Sequence, residues 1–133
     1  MSVITEQPAG IQVLIVDDNV DSAKMMKMIL NLNGYETRIA YDGVEALTTA
    51  VEFKPEIILL DLGLPRKAGQ DVAIELRNDH VMADALIIAV SGYTDIGVPP
   101  GFDYLLVKPV DHDRLMSLLE ERKSNSRIVK SRG

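Results

Sequence analysis

The chain has no cysteine. That excludes disulfides and thiolate metal ligands, and it fits a reducing cytosol. Aromatic residues make up only 5% of the chain against 47% hydrophobic residues overall, so aliphatic side chains must fill any core. No uncharged apolar run approaches the ~18 residues of a membrane-spanning helix. Residues 1–10 carry neither a basic start nor a long apolar stretch, so no signal peptide is expected. A cytoplasmic location with no membrane partner follows as the expectation. Acidic residues are missing from the C-terminal end: all 20 lie at or before Glu121, and Arg122, Lys123, Arg127, Lys130 and Arg132 follow without one. Residues 123–133 therefore read as a basic, solvated, disordered tail. No aromatics interleave with those charges, so a nucleic-acid partner is not expected. No glycine-rich phosphate loop opens a helix, which leaves nucleotide binding unsupported.

What remains fits one domain with a real core, over about residues 11–122, preceded by a tail over 1–10. Apolar runs alternate with amphipathic stretches, the pattern of βα units on a parallel sheet. Strands are predicted at Gln12–Val16, Glu36–Ala40, Ile57–Leu60, Leu86–Val90 and Tyr104–Val107. Helices are predicted at about Asp21–Asn33, from Asp42 or Gly43 to Phe53, at Gln70–Asn78 and at Asp111–Arg122. Asn19 or Asp21 would cap the first helix and Gly34 would stop it. Pro55 ends the second.

The fourth crossover is odd. Ser91 to Asp103 holds three glycines and the Pro99-Pro100 pair. Proline inside a helix costs ~3 kcal/mol and glycine ~1 kcal/mol. A loop with at most one helical turn is expected there.

Three carboxylates stand at the ends of apolar runs. Ile11–Val16 leads into Asp17-Asp18, and Glu56–Leu60 leads into Asp61. In open α/β sheets the working crevice lies outside the carboxyl ends of the strands. Asp17, Asp18 and Asp61 should therefore converge, and like charges so placed repel unless a cation joins them or protons neutralise them. Ser91-Gly92 after the fourth strand adds a hydroxyl to that edge, and Lys108-Pro109 after the fifth adds an ammonium. Leu64-Pro65 stiffens the loop after Asp61, and Gly69 lets it turn. Such a set can bind Mg²⁺ through oxygens and hold a phosphoryl group between metal, lysine and hydroxyl. His80 and His112 read as solvated surface residues. The six methionines read as core and first-helix filler.

Val16-Asp17-Asp18-Asn19, Tyr41-Asp42-Gly43-Val44-Glu45-Ala46-Leu47, Leu60-Asp61-Leu62-Gly63-Leu64-Pro65, Val90-Ser91-Gly92-Tyr93 and Val107-Lys108-Pro109-Val110 together resemble the successive signatures of two-component response-regulator receiver domains. The resemblance spans about Ile11 to Arg122. It implies a flavodoxin-like, doubly wound α/β fold with five parallel strands in the order 2-1-3-4-5. It implies that Asp61 is the phosphoacceptor. Asp18 would ligate Mg²⁺ (or Mn²⁺) directly, Asp17 mainly through water, and Asp61 and the Gly63 carbonyl would complete the set. Lys108 would pair with Asp61 and then with the phosphoryl group, across a Lys108–Pro109 bond that is usually cis in the family. Ser91 would bond a phosphoryl oxygen. Gly92 would leave room for it, and Gly63 and Tyr93 occupy positions that tune the lifetime of the phosphoryl group. No other cofactor is implied. The partners implied are a histidine kinase or histidine phosphotransfer protein and a downstream protein, with the chain itself a monomer or weak dimer.

Two departures stand out. Ser91 to Lys108 spans 17 positions, several fewer than is usual, and the deficit falls on the family's fourth helix. The aromatic that many receivers carry three positions before the lysine is Leu105 here. Tyr104 lies one residue earlier and so on the opposite face. An atypical output is expected. Two other readings compete: a receiver-shaped scaffold that is never phosphorylated, and an aspartyl-phosphate phosphatase of the dehalogenase type. The second needs an acid two residues after the nucleophile, where this chain has Gly63. The chain is thus expected to be a signalling phosphoacceptor rather than an enzyme on other substrates.

Overall fold

A computed structural model describes residues 10–93 and 97–132, the last ten of them by backbone alone. The elements run β1 (Gln12–Val16), α1 (Val20–Leu32), β2 (Glu36–Ala40), α2 (Gly43–Phe53), β3 (Ile57–Asp61), α3 (Gly69–Asn78), β4 (Leu86–Ser91), β5 (Tyr104–Val107) and α4 (His112–Arg132). The five strands form one parallel sheet in the order β2-β1-β3-β4-β5. This is the doubly wound architecture that the alternating apolar runs predict.

Burial on both faces explains the composition of the central strands. All five residues of β3 are buried, as interior parallel strands require. One face packs Leu14, Val16, Ile58, Leu60, Ile87 and Ala89 against α2 and α3. The other packs Val13, Ile15, Ile57, Leu59 and Ile88 against α1 and the Leu115, Leu118 and Leu119 stripe of α4. Leu105 joins the first cluster and Tyr104 the second, so the two do face opposite sides of β5. Among the described residues no helix is long and apolar enough to cross a membrane.

Caps fix the helix starts. The Asn19 side chain accepts from Ser22 N at 2.9 Å and begins α1 at Val20. Gly34, at φ +91, lets the chain leave α1. Asp42 accepts from Glu45 N at 2.8 Å, and Glu45 reaches back to Tyr41 N at 2.6 Å, a reciprocal cap for α2.

Two predicted strands end one residue early: Asp61 and Ser91 are the last residues of β3 and β4, not the first of their loops. The ladder continues through them because their backbones still pair, whatever their side chains. The predicted end of the last helix at Arg122 is also too early, since its backbone continues to Arg132. No proline or glycine interrupts residues 123–132, so nothing in the local chain stops the helix before Gly133. The 1–10 tail lies outside the described residues except for Gly10.

The fourth crossover has no helix among its described residues. Residues 94–96 lie outside the description. Phe102 N donates to Pro99 O at 3.2 Å, and Gly101 sits at φ +91. Proline followed by a positive-φ glycine is the pattern of a type II turn. The turn puts Phe102, 8% exposed, into the core face that α2 and α3 cover. A Cβ on Gly101 would lie 3.3 Å from Ala73 Cβ, so this turn packs directly on α3. Arg77 of α3 then holds the connection. Its Nε donates to Gly101 O at 2.9 Å and its guanidinium pairs with Asp103 at 2.7 Å. Its remaining bonds go to Ala83 O and Ala85 O at 2.8 and 2.7 Å.

If Phe102 replaces the side chains of a missing helix, Phe102→Ala should cost about 3 kcal/mol of unfolding free energy, as other core phenylalanine truncations do. Urea unfolding checks this. A loss below about 0.5 kcal/mol, the level of an ordinary surface change, would show that the turn contributes no core.

Candidate functional site

Register brings the predicted residues together. Val16 pairs with Leu60, so the residues that follow them, Asp17 and Asp61, leave the sheet side by side. Asp61 pairs with Val90 and Ser91 with Val107, which sets Ser91 and Lys108 beside the same edge. Lys108 N donates to Ser91 O at 2.8 Å. One carboxylate oxygen from each of Asp17, Asp18 and Asp61 lies within 4.8 Å of the others. Asp61 is 7% exposed, Asp17 is half-buried and Asp18 is exposed.

Each group at the edge is oriented. Lys108 Nζ donates to Asp61 Oδ2 at 2.7 Å. Gly63 N donates to Asp61 Oδ1 at 2.9 Å. Asn19 N donates to Asp17 Oδ1 at 2.9 Å. Ser91 is 2% exposed, and its Oγ accepts from Tyr93 N at 3.0 Å, which leaves the hydroxyl proton free to donate elsewhere. The Lys108–Pro109 bond is cis. Gly92 and Tyr93 are exposed, and among the described residues a Cβ on Gly92 would meet nothing within 4 Å. A Cβ on Gly63 would lie 3.7 Å from Asp61 Oδ1, an ordinary contact. Glycine suffices at that position but is not sterically demanded.

Electrostatics leave the edge short of positive charge. Burial pushes the Asp17 carboxyl above its ordinary 3.8; the Asn19 amide opposes this, Asp61 adds to it, Lys108 opposes and Asp18 adds. The Lys108 ammonium is held above its ordinary 10.5, first by its hydrogen bond to Asp61, against the cost of burial. It is therefore charged throughout the neutral range. One ammonium faces three carboxylates within reach of a single ion. Oxygen donors so spaced, with excess negative charge, fit a hard divalent cation.

The loop after Asp61 is more tightly built than its sequence suggests. Gly69 admits no Cβ, because Asp61 O would lie 2.7 Å from it. Lys67 N donates to Pro65 O at 2.7 Å, two residues back, and Arg66 between them sits at φ +69. That is a γ-turn of the strained hand. Its cost is of order 1–3 kcal/mol and needs surrounding contacts to persist. Asp42 supplies one by pairing with Arg66 at 3.2 Å. Gly43 supplies another: a Cβ there would lie 2.2 Å from Lys67 O. The sequence offered a signal for Gly43, a costly glycine at the start of a capped helix, but no local signal for Arg66.

Beside the carboxylates, a cleft of about 380 Å³ runs between α1 and the β5–α4 loop. Met25, Met26 and Ile29 line it from α1 and Pro109 and Val110 from the loop, and Asp17, Asp61 and Lys108 line it too. Met25 and Met28 are 61% and 63% exposed, so these two are not the core filler the sequence reading expected. His112 is exposed as expected and also lines this cleft. A groove of about 420 Å³ lies beside the edge strand β2 at Gln12, Lys27 and Arg38. It is away from the carboxylates and holds none of these groups.

A family model described as the response regulator receiver domain matches residues 13–120. The chain belongs to that family. It is 33% identical over 113 residues to the DNA-binding response regulator MtrA of Mycobacterium tuberculosis, an alignment covering 84% of this chain and 50% of MtrA. The chain thus spans about half the length of the curated relatives it matches. The receiver domain of the sensor histidine kinase PA1611 from Pseudomonas aeruginosa, described with a magnesium ion in its active-site cleft, superposes with a TM-score of 0.79 and 26% identity, over 85% of this chain and 97% of that one. The response regulator TrrA of Thermotoga maritima, in complex with Mg²⁺ and beryllofluoride, gives a TM-score of 0.76 and 28% identity, over 84% and 98% of the two chains. Both likenesses agree with an acidic pocket built to take a divalent cation.

The Asp17 shift has a definite sign. A carboxyl raised on folding contributes stability that is complete below 3.8 and lost as pH rises through its folded value. In chelator, Asp17→Asn should therefore grow more stable than the parent chain as pH rises from about 4 to neutral, by less than about 1 kcal/mol after solvent screening. Mg²⁺ at neutral pH should stabilise the parent chain and lose that effect in Asp18→Asn. Urea titrations across pH, with and without Mg²⁺, read both. A metal-independent stability curve for the parent chain contradicts the cation reading.

Proposed function

We propose that this receiver accepts a phosphoryl group on Asp61 from the phosphohistidine of a histidine kinase or histidine phosphotransfer protein in the cytoplasm. The observation that carries the reading is the Lys108–Asp61 pair at 2.7 Å, with Asp61 itself one of three carboxylates within 4.8 Å. An Asp61 carboxylate oxygen attacks phosphorus, the P–N bond to the imidazole breaks, and its electron pair stays on that nitrogen, which then takes up a proton. Lys108 is placed to follow the charge from the Asp61 carboxylate onto the phosphoryl oxygens, and the free Ser91 proton is placed to donate to one of them. Asp17, Asp18, Asp61 and the Gly63 carbonyl would hold Mg²⁺ (or Mn²⁺). When bound, the ion supplies charge stabilisation to the equatorial oxygens. Gly92 leaves that face open, and Gly63 and Tyr93 stand where they would govern water's access to the acyl phosphate. The chain then catalyses only its own phosphorylation and dephosphorylation. The apolar cleft along α1, opening onto Asp61, suits a partner helix that presents its histidine at the mouth.

The phosphatase alternative lacks its second acid, since Gly63 stands two residues after Asp61. The unphosphorylated-scaffold alternative leaves the buried Asp61 carboxylate and its pair with the exposed Lys108 without a task. Incubation with Mg²⁺ and a small phosphodonor should add one hydroxylamine-labile phosphoryl group. Asp61→Asn should lose it, and Lys108→Met should slow its appearance. Retention of the label in Asp61→Asn would move the acceptor elsewhere.

Output follows from the same site by an atypical route. The short Ser91–Tyr104 connection is fastened to α3 through Gly101 and Arg77. Movement at Ser91 therefore meets α3 rather than a separate fourth helix, and a downstream protein would read that change. Beryllofluoride with Mg²⁺ should alter amide exchange in residues 69–78 and 97–103, and Arg77→Met should remove the change at α3 while Asp61 still takes the mimic. Exchange changes spread over a regular helix at 95–103 would sink this route.

A further inference from the structure

We propose that Asp42, Gly43 and Arg66 are positioning residues that latch the loop after the phosphoacceptor and so set where the Gly63 backbone stands for the cation. The purpose of the latch rests on the phosphoacceptor reading; its geometry does not. Both ends of the loop are anchored to the end of β3. Gly63 N donates to Asp61 Oδ1, and Gly69 packs so closely that a Cβ would lie 2.7 Å from Asp61 O. Between those anchors, Pro65 and Arg66 are exposed and Arg66 holds a positive φ of 69. Left alone, a non-glycine residue there would relax toward negative φ and carry the loop with it.

The N-terminus of α2 prevents this in two ways. Asp42 divides its carboxylate: Oδ1 caps the helix through Glu45 N and Oδ2 takes Arg66 at 3.2 Å. Gly43 lets the loop come within what a Cβ would occupy, 2.2 Å from Lys67 O and 2.7 Å from Lys67 Cβ, and its N–H points at Pro65 O. The contact is backbone against backbone, so no side-chain rotation can relieve an added methyl. A loop so constrained presents its carbonyls in one arrangement, which is what a cation with strict ligand geometry requires.

The test uses the full chain and four variants: Gly43→Ala, Asp42→Asn, Arg66→Met and Arg66→Lys. Asp42→Asn keeps an N-cap acceptor while losing the ion pair. Three readouts are taken together: amide exchange over 62–68 without metal, Mg²⁺ affinity by calorimetry, and the urea midpoint. Asp42→Asn and Arg66→Met should weaken Mg²⁺ about two- to fivefold, the range expected from losing one partly exposed ion pair. Gly43→Ala should weaken it further, and Arg66→Lys should recover most of the loss. Exchange over 62–68 should quicken in the three weakened variants. A lowered midpoint with unchanged Mg²⁺ affinity and unchanged loop exchange overturns the latch and leaves these residues merely structural. Should Gly43→Ala fail to fold, Asp42→Asn and Arg66→Met decide. If the parent chain takes no phosphoryl group at Asp61, the phosphoacceptor reading falls while loop exchange still judges the latch.

Discussion

Repulsion among Asp17, Asp18 and Asp61 is the constraint on which the rest of the site depends. A parallel sheet delivers them to one edge because β1 and β3 are neighbours in register, and buried apolar strands give neither carboxylate freedom to withdraw. Lys108 offsets part of the charge by pairing with Asp61. The remainder is unbalanced: Asp17 is pushed up first by burial, and the charges of Asp61 and Asp18 add to that push. A cluster of this kind lowers the stability of the empty fold and raises its affinity for whatever neutralises it. Binding a divalent cation answers a surplus of negative charge held in place by a rigid core, and the proposed phosphoryl transfer to Asp61 would depend on that neutralisation.

The second feature of the molecule is economy in the fourth crossover. A helix would have covered β4 and β5 on the α2–α3 side. In its place a Pro-Pro-Gly-Phe turn drops Phe102 into the core and rests Gly101 on Ala73. Arg77 ties that turn to α3 through the Gly101 carbonyl and the Asp103 carboxylate. The described far end of the crossover, residues 97–103, is thus tied to α3 through Gly101 and Asp103.

Much of this was legible in the chain. The Gln12–Val16, Glu36–Ala40 and Tyr104–Val107 strands match the structure to the residue. The candidate site was legible because Asp61 and Ser91 end strands and Asp17 and Lys108 directly follow others, so strand order brings the four together. What escaped was long-range or lacked a local stop. The Arg66–Asp42 and Arg77–Asp103 pairs join residues 24 and 26 positions apart, with no periodicity to announce them. The end of α4 was misplaced because the core stripe stops at Leu119 while helix-compatible residues run on to Arg132. Met25 and Met28 read as filler by composition, yet they stand exposed on α1, Met25 in the wall of the apolar cleft.

The most direct test of the central claim is a crystal structure of the chain with Mg²⁺ and beryllofluoride. Beryllium should be bonded to the Asp61 carboxylate, with one fluoride against Lys108 Nζ and another against Ser91 Oγ. The cation should lie among Asp17, Asp18 and Asp61. A structure in which Asp61 keeps its pair with Lys108 and the mimic sits elsewhere, or nowhere, would contradict the account.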